Sequence, residues 1–244
     1  MKIYFLGVLL FCTGTLLAQK NISKIPLIGE DAPAFEAEST LGIINFPQDY
    51  GRKWKILFSH PRDFTPVCSS EILELASMQE EFSKLGVKPV VLSTDTKDQH
   101  IMWQKTLEEI SFKGRDPVKI NFPLVEDKSG AIAKMYGMLH YPVSTTESVR
   151  GVFIVDPDNK IRAIFFYPMS VGRDLKEIER VIIALQTVDG NQYATPVNWK
   201  PGEDVLVTHF PYTDKELEKE PAIKHDYYNV GNLMWFKKTA KQQP

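Results

Sequence analysis

The chain has 244 residues, with 29 lysines and arginines against 31 aspartates and glutamates. A balance this close to neutral excludes a general polyanion binder and leaves no electrostatic footprint for nucleic acid. With 43% hydrophobic residues the chain can bury a full core, and its length fits one domain plus an appendage.

Lys2 precedes Ile3 to Leu17, a run without charge, and Ala18 closes it before Gln19, Lys20 and Asn21. Residues 1–18 read as a secretory signal peptide cleaved after Ala18, although Leu16 is bulkier than the usual small residue there. The run is too short to span a bilayer comfortably, and an uncleaved interfacial anchor is the alternative. Lipid attachment at Cys12 is disfavoured by the bulk of Phe11. The mature protein is expected to be exported, periplasmic or secreted, without a stable membrane span. Cys68 is then its only cysteine. No internal disulfide can form, so this thiol is free and reactive or pairs with another molecule; an inert buried cysteine is the plain alternative.

A Pro-rich entry, Ile25 to Phe35, leads to a small sheet, with a short strand at Gly42–Phe46 and a turn at 48–52. Trp54–Ser59 is a buried strand. From Ser69 to Leu85 the periodicity is helical, with Leu75, Met78, Phe82 and Leu85 as an apolar stripe and Gly86 ending it. Val87–Asp95 reads as a second buried strand. Lys97–Ile110 reads as a helix with Ile101, Met102 and Leu107 inside. Ile120–Val125 is a short strand, and Ser129–Tyr136 a helix stopped by Gly137. Val149–Val155 and Lys160–Tyr167 form a hairpin around the turn Asp156-Pro157-Asp158-Asn159. Arg173–Gln186 is the last core helix. Helices interleaved with strands imply a central mixed sheet covered on both faces, an α/β order consistent with a thioredoxin-like fold. Residues 25–187 make that domain. Residues 188–244 lose periodicity and read as a C-terminal arm, packed on its own core or on a second subunit, with a loose tail after Lys238.

The chemistry concentrates at Pro61-Arg62-Asp63-Phe64-Thr65-Pro66-Val67-Cys68. Thr65 suits a helix N-cap and Pro66 the first helical position, which puts Cys68 at the third, beside unpaired backbone N–H groups. A free thiol titrates near ~8.5 and is only ~7% thiolate around neutral pH. Bringing such a group to about 6 takes about 3.4 kcal/mol, whereas a helix terminus supplies ~0.3–1 and at best about 2 kcal/mol. A fixed cation is therefore required close by.

Pro61-x-x-x-Thr65-x-x-Cys68 after a strand, with Arg150 opening another strand far downstream, resembles the peroxiredoxins of the alkyl hydroperoxide reductase/thiol-specific antioxidant family. The wording of Ser59 to Cys68, Asp95, and Ala194-Thr195-Pro196-Val197-Asn198-Trp199-Lys200 resembles the one-cysteine subfamily that includes mammalian peroxiredoxin six, over Ile25 to about Val207. The resemblance implies that Cys68 is the peroxidatic cysteine, that Thr65 hydrogen-bonds the peroxide, that Pro61 shields the pocket, and that Arg150 is the missing cation. Glu71 and Arg173 are candidates for orienting these groups. His60 is either a positioning residue or a structural one. It further implies a thiol peroxidase acting on hydrogen peroxide and small organic hydroperoxides. With one cysteine, an external thiol must restore it, and a homodimer or larger homo-oligomer is expected. No cofactor is implied.

Mammalian relatives of this kind carry a Gly-x-Ser-x-Gly element before the catalytic strand. Here the segment is Gly51-Arg52-Lys53-Trp54-Lys55, and Pro47 occupies the nearby histidine position, so no phospholipase activity is expected. The absence of Cys-x-x-Cys excludes a dithiol disulfide reductase. His60, His100, His140, His209 and His225 show no metal-ligand spacing, and no glycine loop cradles a phosphate. The competing class is a non-enzymatic redox sensor or oligomeric holdase acting through Cys68.

Overall fold

The computed structural model describes residues 25–210 and 212–239; residues 1–18, read from the sequence as a signal peptide, lie outside the described residues, as does the end of the tail. Strands β1 (Phe35–Ser39), β2 (Gly42–Phe46), β3 (Trp54–Ser59), β4 (Val87–Ser93), β5 (Leu124–Glu126), β6 (Arg150–Val155) and β7 (Ile161–Tyr167) form one sheet in the order β2-β1-β5-β4-β3-β6-β7. β3, β4 and β5 run parallel, and β6 and β7 extend the sheet antiparallel beyond β3. The mixed, thioredoxin-like sheet expected from the order of elements is there. The Pro-rich entry does not lead to a separate small sheet: β1 and β2 join the central one through a single pair, Ser39 with Val125.

Helices α1 (Pro66–Lys84), α2 (Lys97–Leu107), α3 (Ala131–Met135) and α4 (Leu175–Val188) cover the sheet. Two apolar clusters fill its faces. One joins Phe58, Ile72, Phe82, Trp103, Leu124 and Ile182, and the other joins Phe46, Leu57, Leu92, Tyr136 and Phe153. β3 and β6 are buried along their whole length, as strands sandwiched between layers must be. Lys55, within β3, is sealed in, and its Nζ donates to the Asp156 carbonyl and Asn159 Oδ1 of the hairpin turn.

Several boundaries move. α1 begins at Pro66 and caps at Leu85, with Gly86 following at φ +70°, the left-handed turn that ends a helix without a Cβ penalty. α4 starts at Leu175 behind an Asp174 cap that accepts from Lys176 and Glu177, so Arg173 precedes the helix instead of opening it. β5 and α3 are each shorter than the sequence suggests.

The buried face of α2 is not the expected one. Met102 is exposed and Ile101 half-buried, while His100, Trp103 and Leu107 point inward. Apolar periodicity misses this because the inward face includes a histidine whose polar atoms are all paired within the protein.

The C-terminal segment is more ordered than an arm. β8 (Tyr193–Ala194), β9 (Val205–Val207), β10 (Tyr227–Val230) and β11 (Met234–Lys237) build a second sheet, order β10-β11-β9-β8, with short helices α5 (Asp214–Lys219) and α6 (Pro221–Asp226) between β9 and β10. Its periodicity was hidden because the strands are only two to four residues long. Aromatic stacking holds it: Phe210 lies on Trp235 with ring centroids 3.7 Å apart, and Tyr228 on Phe236 at 5.0 Å. Trp199, from the motif singled out in the sequence, is buried with Ala184 of α4 and Val205, and its carbonyl accepts from Arg180. Trp199 and Val205 thus pack this segment against α4 of its own chain.

Candidate active site

Three chain segments converge at the N-terminus of α1. β3 ends at Ser59, and the turn His60–Thr65 delivers Thr65 to the N-cap, Pro66 to the first helical position and Cys68 to the third. β6 pairs antiparallel with β3 and opens at Arg150. The loop after β7 brings Met169 and Arg173 alongside. Gly151 allows the close approach of β6: a Cβ there would lie 3.0 Å from Met138 Sδ and 3.1 Å from Ser59 Oγ. Ser59 Oγ fastens the two strands by donating to the Val149 carbonyl and accepting from Gly151 N–H.

Cys68 is fully buried. Arg150 Nη1 lies 3.4 Å from its sulfur and 2.7 Å from Glu71 Oε2. The other Arg150 nitrogens, Nε and Nη2, both donate to the Met169 carbonyl, so the guanidinium cannot swing away. Glu71 lies one helical turn after Cys68 and accepts four hydrogen bonds from the two arginines. They come from Arg150 Nη1 and from Arg173 N, Nε and Nη2, at 2.7–2.9 Å. Arg173 Nη1 in turn donates to the Ser59 and Gly151 carbonyls, and its guanidinium rests 3.3 Å above the Phe58 ring.

The charges here do not cancel without the sulfur. Burial alone would raise the Glu71 carboxyl, but the hydrogen bonds and charges of Arg173, with the charge of Arg150, outweigh it and hold the group below its ordinary value. Burial pulls Arg173 down from its ordinary value, with Glu71 opposing; a guanidinium keeps its proton in either case. Two guanidiniums and one carboxylate leave a net charge of +1, and an anionic Cys68 makes the group neutral. At 3.4 Å, with an effective dielectric constant of about 20, a unit charge pair is worth about 5 kcal/mol before the opposing carboxylate and the cost of burying an anion are subtracted. Arg150 is thus the fixed cation beside the sulfur that the sequence called for.

A cleft of about 240 Å³ opens over the site, lined by Pro61, Arg62, Thr65, Pro66, Val67, Glu147, Arg150 and Met169. Arg62 and Glu147 form an ion pair across its mouth. Thr65 holds the N-cap position, yet its hydroxyl donates to the Arg62 carbonyl at 3.0 Å and caps no N–H. The first-turn amides, that of Cys68 among them, are therefore not consumed by this side chain, and the Thr65 oxygen keeps its acceptor lone pairs for a ligand. A larger cavity, about 610 Å³, lies elsewhere, lined by Leu41, Tyr50, Lys53, Phe122 and others and by none of the site residues.

All seven residues singled out in the sequence fall in or beside this site, and Glu71 and Arg173 are more central than expected. Two were missed. Asp63 Oδ1 accepts from His60 Nε2 at 2.8 Å and its Oδ2 meets His100 Nδ1 at 2.7 Å, while Asp95 Oδ2 accepts from Asp63 N–H and Ser93 Oγ. His100 is 40 residues from His60 in sequence, so no spacing rule could find the pair. Ligand atoms of His60, Asp63 and Asp95 lie within 4.8 Å of one another, close enough for a cation, but hydrogen bonds within the protein already occupy both Asp63 oxygens.

Comparison with known proteins agrees with this geometry. The model of the AhpC/TSA family matches residues 28–164, and that of the C-terminal domain of 1-Cys peroxiredoxin matches residues 184–220. A peroxiredoxin from Methanosarcina mazei is 51% identical over 203 residues, covering 83% of this chain and 92% of that one. Bos taurus peroxiredoxin-6 is 43% identical over 187 residues, covering 74% and 82%. Among solved structures, a cysteine-to-serine mutant of Arenicola marina peroxiredoxin 6 superposes with a TM-score of 0.75 at 30% identity, covering 88% of this chain and 99% of that one. A yeast mitochondrial 1-Cys peroxiredoxin gives 0.73 at 35%, covering 88% and 100%. The chain belongs to the AhpC/TSA family and, within it, to the one-cysteine peroxiredoxins. It is a thiol peroxidase, an oxidoreductase.

Proposed function

We propose that Cys68, as the thiolate, attacks one oxygen of hydrogen peroxide or a small alkyl hydroperoxide. The S–O bond forms as the O–O bond breaks, and the departing oxygen leaves as hydroxide or alkoxide and takes a proton from water. Arg150 and the Cys68 amide stabilise the charge growing on that oxygen with donors already in place. Thr65 accepts a hydrogen bond from the hydroperoxide O–H and orients it. Pro61 limits water. Glu71 and Arg173 hold Arg150 against the sulfur. The product is a sulfenic acid. One external thiol condenses with it, releasing water and leaving a mixed disulfide; a second thiol then restores Cys68 and departs as the disulfide. At high peroxide the sulfenic acid is open to further oxidation.

The observation that carries this reading is the Arg150–Cys68 approach of 3.4 Å with the other Arg150 nitrogens tied down. An oligomeric holdase has no need of it. The test is stopped-flow peroxide consumption with an excess of a simple thiol: wild type turns over and Cys68→Ser falls to the uncatalysed background. Equal slow rates for both would overturn the reading. We also infer export after cleavage at Ala18, supported by the uncharged run from Ile3 to Leu17. Assembly at least to a homodimer is supported by exposed apolar side chains such as Ile43, Val197 and Leu233. N-terminal sequencing of the expressed protein and sedimentation of the purified chain test these two points.

A further inference from the structure

The His60–Asp63–His100 row can be assigned its protons from its partners alone. His100 Nε2 lies 3.1 Å from the Val125 carbonyl, which only accepts, so that nitrogen carries a proton. His60 Nε2 faces the Asp63 carboxylate and carries another. The contact between His100 Nδ1 and Asp63 Oδ2 joins two acceptors unless a third proton lies between them. Three protons on two imidazoles and one carboxylate make the row neutral overall. That suits a place where all three side chains are at most 1% exposed, since an uncompensated charge there is costly. The remaining nitrogen, His60 Nδ1, is buried without a protein partner; burial pulls His60 below its ordinary value, with Asp63 opposing. The other titratable group facing the row is Asp95.

This row anchors a strained turn. Phe64 adopts φ +58°, a left-handed conformation that costs a bulky residue about 1–3 kcal/mol and persists only where its surroundings hold it. On either side of it stand Asp63 and Thr65, with Pro61 two residues further back. Asp63 is gripped on both carboxylate oxygens by the histidines and on its N–H by Asp95. The other contacts on the turn lie at its surface or its ends: Phe64 is half exposed with its ring tilted against Trp103, the Thr65 hydroxyl bonds back to Arg62, Arg62 pairs with Glu147, and the Thr65 carbonyl accepts from Ser69 in the helix. We propose that Asp63 is a positioning residue whose hydrogen bonds to His60 and His100 hold the Pro61–Thr65 turn in its strained shape over Cys68. The inference rests on the peroxidase reading and explains why two histidines are buried beside the site.

The test separates peroxide chemistry from thiol reactivity. Asp63→Ala frees the turn and lowers the second-order rate of Cys68 with hydrogen peroxide by about 10- to 100-fold, the usual consequence of misplacing groups by an ångström. Alkylation of Cys68 by iodoacetamide, which needs neither Thr65 nor Pro61, does not slow. Asp63→Asn restores the peroxide rate to within about threefold, because the amide accepts from His60 and donates to His100 and keeps the row neutral. His100→Ala, on α2 and away from the turn, repeats the peroxide-selective loss at smaller size and carries the test if Asp63→Ala does not fold. Wild-type peroxide rates in the folded variants overturn the proposal. So does an Asp63→Asn protein as slow as Asp63→Ala, or imidazole nitrogen spectra showing fewer than three protons on the row. A wild-type protein inert to peroxide fails the peroxidase reading instead.

Discussion

Two buried ionic clusters flank the same cysteine, and they are built on opposite charge balances. On one side Glu71 is shared by Arg150 and Arg173, leaving one positive charge unmatched within hydrogen-bonding reach of the sulfur. On the other, His60, Asp63 and His100 share three protons and come out neutral. The first is chemically incomplete until the thiol ionises. The second is complete by itself and ties down backbone. Both are equally buried, so burial does not tell chemistry from scaffold here. The residual charge does.

The contrast can be broken experimentally. The largest effect is expected for Glu71→Gln, which leaves two buried guanidiniums without their carboxylate; unfolding in denaturant should show a loss of about 3–5 kcal/mol. Arg150→Ala removes the unmatched charge and should cost about 10²–10³-fold in peroxide reactivity, the usual result of deleting one preorganised donor. Arg150→Lys is not expected to recover it, because an ammonium cannot bridge the sulfur, Glu71 and the Met169 carbonyl together. Thr65→Val keeps shape and loses one hydrogen bond to the peroxide, which stopped-flow should read as about a tenfold decrease.

The smallest effect is on stability against pH. His60 sits below its ordinary value in the fold, so as pH falls through about 6.5 the unfolded chain binds a proton that the folded chain does not, and stability declines. Asp63 and Glu71 are likewise held below their ordinary values, their partners outweighing burial. Their contributions, full above about 4, are lost as pH falls further. The midpoint of thermal unfolding should drop between about pH 7 and pH 5, and His60→Asn should flatten that slope.

The helix start at Thr65-Pro66 and the place of Cys68 in its first turn were readable from local chain chemistry alone, because capping and proline preferences act within four residues. The i, i+3 relation of Cys68 and Glu71 was readable too. Strands β3, β4 and β6 followed from their largely apolar runs. The inward face of α2 and the short C-terminal strands were not readable. The first turns on a histidine that is buried only because Asp63 and the Val125 carbonyl come from other elements. The second depends on strands too short for periodicity, held by aromatic pairs such as Phe210 with Trp235 across 25 residues.

Sequence alone therefore determined where the reactive sulfur sits on its helix, since capping and proline preferences are local. That Arg150, Arg173 and Glu71 share one charge balance around it, and that Asp63 joins two histidines beneath its turn, was decided only by tertiary structure. Distances of 2.7–3.4 Å between residues 37 to 102 positions apart are set by how strands β3 and β6 pair and how the helices pack on them, and no local preference encodes them.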